Sequence, residues 1–126
     1  MFYELPEKYD ITDDVNKRLL EGQAYKRKGN YIKANKIYDE ILKSDGASGI
    51  LYIAMAKNLA CQKKYEEAIK LFELANRSCI IENGTEDYNC KYHIQQLRNR
   101  SFMSKEEFKK YISTIAGNPY YEFPEE

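Results

Sequence analysis

The sequence predicts an all-α chain built as a short solenoid of helical hairpins, and two observations carry the prediction. Apolar residues recur at i, i+3, i+4 and i+7, as in Ala34, Ile37, Tyr38, Ile41 and Leu42, the spacing of a helix with one buried face. Residues of matched size also recur at a fixed interval of 34: Gly22 with Ala56, Tyr25 with Leu59, Tyr31 with Tyr65, Ala34 with Ala68, Tyr38 with Phe72, and Ile41 with Ala75. Six pairs at one period mark a repeat architecture. Farther on the match loosens, Phe108 and Tyr111 following Phe72 and Ala75 by 36 residues. About three hairpins are expected in one domain of 126 residues, two clear (13–45 and 47–80) and one degenerate (86–115). Irregular arms, 1–11 and 116–126, flank them.

Taken in order, Pro6 keeps the first arm out of a helix. Thr12 is a good N-cap, and Asp13 and Asp14 place negative charge where the helix dipole favours it. The first helix runs to about residue 28. Gly29 suits a left-handed helix end, and Asn30 caps a second helix over 31–44. After the turn Asp45-Gly-Ala-Ser, a third helix over 48–62 is apolar on more than one face (Ile50, Leu51, Tyr52, Ile53, Met55, Leu59) and is expected between neighbours. Lys63-Lys64 stands where the first hairpin has Gly29-Asn30, so Lys63 is expected in a left-handed conformation at about 1 kcal/mol. A fourth helix, 65–78, buries Ala68, Leu71, Phe72 and Ala75, with Glu66 and Lys70 paired on its surface. Past the polar run 82–87, a fifth helix over 86–99 offers Tyr88, Tyr92, Ile94 and Leu97 to the core. Ser104 and Glu107 form a capping box for a sixth, 105–115, burying Phe108, Tyr111, Ile112 and Ile115.

Composition is that of a globular chain, 43% hydrophobic and 32% charged, with 12 Tyr and no Trp. The formal net charge is zero but uneven: residues 1–14 carry −4 and 116–126 carry −3, leaving +7 between them. Acidic ends attracted to a basic body are the favoured account, and acidic partners the other. The opening Met1-Phe-Tyr-Glu-Leu-Pro lacks the pattern of a secretory leader, and no apolar run reaches the length of a membrane span. Three cysteines (Cys61, Cys79, Cys90) suit reduced thiols and a cytoplasmic location. The glycan acceptor patterns at Asn76, Asn83 and Asn99 are taken as chance.

The pattern resembles the tetratricopeptide repeat (TPR). Gly22, Tyr25, Gly29, Tyr31, Ala34 and Tyr38 stand at the family's positions in the first repeat. Tyr52, Met55, Ala56, Leu59, Tyr65, Ala68, Phe72 and Ala75 do so in the second. Arg18, Glu21 and Gly46 depart from it, and the third hairpin matches only in apolar outline. The resemblance implies a right-handed solenoid whose first helices line a concave groove holding a peptide or protein segment. Carried over one by one, the partner-binding positions are Asn16, Leu19, Gln23, Lys26 and Arg27 in the first helix, with Ile50, Ile53, Lys57, Ala60 and Cys61 in the third. The family's carboxylate clamp is not expected, since Leu19, Gln23 and Ala54 hold its first three positions. An apolar floor with a basic rim suits an amphipathic or acidic segment instead. In the bland alternative these residues are buried, under the chain's own arms.

No motif for catalysis stands out: no nucleophile beside a base, no paired carboxylates, no phosphate loop. His93 is read as a half-exposed surface residue beside Tyr92. Cys79, Cys90 and His93 lack a fourth ligand for structural zinc, and Glu82, Glu86 and Asp87 lack the spacing of a calcium loop. No enzyme, metal or cofactor is expected. The leading expectation is a cytoplasmic protein-interaction module, an adaptor or co-chaperone-like scaffold. A nucleic-acid-binding repeat, touching phosphates through Lys26-Arg-Lys and Lys63-Lys64, is less favoured. Self-association is the third reading. No capping helix follows Ile115, so either the tail 118–126 or another copy is expected to cover the last hairpin or groove.

Overall fold

The computed structural model describes residues 3–125; residues 1, 2 and 126, the outermost parts of the two arms, lie outside the described residues. The chain is all-α. Among the described residues six helices follow one another: α1 (Asp13–Arg27), α2 (Tyr31–Asp45), α3 (Gly49–Cys61), α4 (Tyr65–Asn83), α5 (Tyr88–Arg98) and α6 (Lys105–Ala116), with a 3₁₀ turn at Arg100–Phe102 before α6.

Local chemistry explains the starts and stops. Side chains of Thr12, Asn30, Ser48 and Asp87 accept hydrogen bonds from first-turn amides of α1, α2, α3 and α5, and Ser104 with Glu107 completes the capping box of α6. Only α4 begins without a side-chain cap. Lys63 just ahead of it adopts φ 66°, the one non-glycine with positive φ among the described residues, as the repeat register requires.

Two helix pairs pack closely, α1 on α2 and α3 on α4, and α3 is the hub of the fold. Ten of the thirteen residues of α3 are buried, because it meets α1, α2, α4 and α6 at once. Positions 34 apart play equivalent parts. Ala34 and Ala68, and Tyr38 and Phe72, are all fully buried. Small Gly22 lets the Tyr38 ring approach: a Cβ on Gly22 would stand 2.5 Å from Cε1 of Tyr38.

Four expectations are corrected. Helix α4 continues to Asn83 rather than 78, because none of Cys79–Asn83 resists helix, and it stops at Gly84 (φ 74°), whose amide bonds Ile80 O. Helix α5 buries only two of the four residues expected of it, Ile94 and Leu97. Tyr88 (75% exposed) and Tyr92 (50%) point outward, while Cys90, Ile94 and Leu97 are buried. Asp87 caps α5 and its own amide bonds Asn76 Oδ1 of α4 (2.7 Å), which fixes the register. Glu66 pairs with Arg100 (3.2 Å) rather than Lys70. Finally, α6 does not lie back along α5. It packs chiefly on α3 and meets α5 through side chains, Tyr92 and His93 against Tyr111.

The first arm is ordered by α3. Lys8 O and Tyr9 O accept the amides of Gly49 and Ile50 (3.0 and 2.9 Å), and Glu4 O accepts the hydroxyl of Tyr52 (2.8 Å). With Ser48 bonding the amide of Leu51, three otherwise unpaired amides at the start of α3 find acceptors. Gly49 makes this possible, since a Cβ there would lie 2.5 Å from the Tyr9 ring and 2.6 Å from Ser78 Oγ. The Tyr9 hydroxyl continues to Asp87, tying the arm to the start of α5.

Candidate partner-binding face

The ten positions proposed for partner binding divide by burial. Leu19, Lys26, Ala60 and Cys61 are buried; Gln23, Ile50, Ile53 and Lys57 are half-buried; Asn16 and Arg27 are exposed. Over Lys26 and Cys61 the cover is the end of α6 and the tail. The apolar stripe of α6, Phe108, Tyr111, Ile112, Ile115 and Ala116, turns inward onto the core.

Polar contacts pin this cover at its end. Lys26 Nζ donates to Ile115 O (2.7 Å), placing a cation where the last carbonyls of α6 gather negative charge. Asn118 Nδ2 donates to Arg27 O (3.1 Å). Tyr121, 3% exposed, donates its hydroxyl to Cys61 O (2.6 Å). Beyond Tyr121 the tail folds back along α6, with Phe123 stacked on Phe108 and Glu122 paired to Lys109 (2.8 Å). That ion pair joins the acidic tail to the basic body, as the charge distribution led one to expect.

The electrostatics follow from this closure. Burial lowers the Lys26 ammonium to about 8, the nearby charges of Lys57 and Arg27 adding to the effect and Cys61 opposing it. Lys26 is only 8% exposed, and the carbonyl of Ile115 replaces part of its lost hydration. Burial pushes the Cys61 thiol up to about 12 and raises Cys90 as well, so both are held protonated rather than as nucleophilic thiolates.

His93, expected to be half-exposed beside Tyr92, is half-buried and meets the Tyr92 ring edge to face at 5.3 Å. Its ring stacks on Phe72 at 5.0 Å and its Nδ1 shares a hydrogen bond with the Tyr111 hydroxyl (2.8 Å). Burial, with a smaller push from Lys57, lowers it to about 4. His93 therefore joins α4, α5 and α6 as a neutral ring. All three cysteines are buried and unpaired, and among the described residues no three His, Cys, Asp or Glu side chains gather as a metal site. No helix among them is long and apolar enough to cross a membrane.

The structure thus brings Lys26, Arg27 and Cys61 together with Ile115, Asn118 and Tyr121, a meeting of α1, α3 and the tail. The first three stood among the sequence-derived positions and the last three did not. The inward spacing of α6 and the apolar alternation Tyr121-Glu-Phe123 were the available signals, but neither says which face they cover. Compared with protein-family models, curated proteins and solved structures, the chain gives no significant match.

Proposed function

We propose that this chain is a non-catalytic protein-interaction module of the tetratricopeptide-repeat kind, which holds an amphipathic helical segment of a partner against the face of α1 and α3. The observation that supports it most is the seating of α6. An amphipathic helix lies on α3 with its apolar stripe inward and its C-terminal carbonyl on Lys26. A face that accepts one such helix has the chemistry to accept another. Gln23, Ile50, Ile53 and Lys57 stay half-accessible on α1 and α3 and give a partner a place to engage. The 34-residue register of buried small and aromatic residues supports the repeat assignment, and three buried, unpaired thiols suit the cytoplasm.

Affinity capture with the intact chain, compared with Ile53→Asp and Lys57→Glu, tests the proposal. Lys57 is partly exposed and Ile53 packs at the edge of the core, so the helical circular dichroism of both variants is compared with that of the intact chain. Loss of the same captured proteins from both variants is the expected outcome, and equal capture by all three chains overturns it.

A further inference from the structure

A second surface, distinct from the α1/α3 face, has its own ligand chemistry. Where the start of α4 meets the 3₁₀ turn, the start of α6 and the tail, a depression of about 480 Å³ is lined by Lys63, Tyr65, Arg100, Lys105, Phe108 and Phe123. We propose that it docks a short acidic peptide segment carrying an aromatic residue.

Three observations converge on that occupant. The aromatic wall is built: Tyr65 meets Phe108 edge to face at 5.3 Å, and Phe123 stacks on Phe108 at 6.1 Å and 12°. The cations are of two kinds. Arg100 is fixed over the Tyr65 ring (4.9 Å) by bonds to Leu97 O (2.6 Å) and Glu66 (3.2 Å). Lys63 and Lys105 make no ion pair among the described residues, which leaves them for a ligand's carboxylates. The chain's own tail also shows the mode of binding at the margin of the depression. Its Glu122-Phe123 places an acid on Lys109 and a ring on Phe108. A partner segment of like chemistry would extend that pattern toward Lys63 and Tyr65.

The neighbouring charges favour a short peptide over a nucleic-acid strand. Glu66 and Glu67 follow Tyr65, and Glu106 and Glu107 follow Lys105, so the basic spot is small and bordered by acids. A long polyanion would be repelled beyond its first contacts.

The test uses the full chain and a fluorescein-labelled peptide, Asp-Glu-Phe-Glu-Asp, followed by fluorescence anisotropy and by amide shifts in ¹⁵N spectra. Binding is expected to move the amides of Lys63, Ser101 and Lys105. It should weaken by about tenfold in the double variant Lys63→Glu/Lys105→Glu, as fits reversal of two charges in reach of solvent. Replacing the peptide's Phe by Ala should weaken it as well. Lys105 is exposed and Lys63 half-buried, and unchanged amide shifts elsewhere would show the variant folded. No binding at about 1 mM peptide overturns the proposal, that being the weak end of specific recognition. Equal binding by the double variant does the same, and tighter binding of single-stranded oligothymidylate would assign the surface to nucleic acid instead.

Discussion

Tyr38 is 1% exposed, yet its hydroxyl has no hydrogen-bond partner among the described residues. The ring fills the space that Gly22 leaves open, and the buried oxygen carries an uncompensated desolvation cost. In the second hairpin the same position is Phe72, which fills its site with no hydroxyl at all. Tyr38→Phe is therefore expected to raise stability by about 1 kcal/mol, read as a higher midpoint in urea denaturation. A lower midpoint would mean that the hydroxyl is satisfied in solution. The same residue shows what spacing can and cannot say. The 34-residue register identified Tyr38 as a core ring, but only packing tells whether its polar end finds a partner.

Among the elements, the turn between α3 and α4 holds a strain that the repeat register anticipated. Lys63 sits at φ 66°, where a Cβ is disfavoured, while the equivalent Gly29 (φ 82°) carries none. Lys63→Gly is expected to stabilise the chain by about 0.5–1 kcal/mol, offset in part by the greater freedom glycine has when unfolded. Thermal denaturation against wild type measures it, and a lower midpoint would show that Lys63 makes contacts outweighing the strain. Helix α5 was less legible. Ile94 and Leu97 were expected inside and are, but so were the large Tyr88 and Tyr92, whereas the small Cys90, at i to the i+4 and i+7 of Ile94 and Leu97, completes the face that is buried. The deciding constraint is the bond between the Asp87 amide and Asn76, eleven residues earlier and on another helix.

At the scale of the whole molecule, the joint between α4, α5 and α6 is expected to weaken in acid. Its centre is His93, stacked on Phe72 and bonded to Tyr111. With its folded-state value lowered from 6.5 to about 4, the unfolded chain takes up this proton first. Stability should therefore fall as pH drops from about 6.5 to 4, and no further on this account below that. His93→Phe should flatten the fall, seen by comparing urea midpoints of the two chains across that window. Parallel curves would show that other groups carry the acid sensitivity. Lys26 acts at the other end of the scale. Lowered to about 8, it opposes folding while charged, so its release of a proton between pH 8 and 10.5 adds stability.

What the sequence by itself determined is the part governed by local rules. These are the helical class, the caps at Thr12, Asn30 and Ser104, the strained Lys63, and the pairing of small and aromatic residues through α1–α4. Each depends on residues within a helical turn or two, or on a period short enough to count along the chain. The tertiary structure alone decided where α6 and the tail go. An amphipathic stripe specifies that a helix buries one face, but hydrophobic burial has no direction and several apolar faces would accept it. The choice is made by contacts far apart in sequence: Lys26 with Ile115, Arg27 with Asn118 and Cys61 with Tyr121. Those contacts turn a face expected to meet a partner into one that first meets the chain itself.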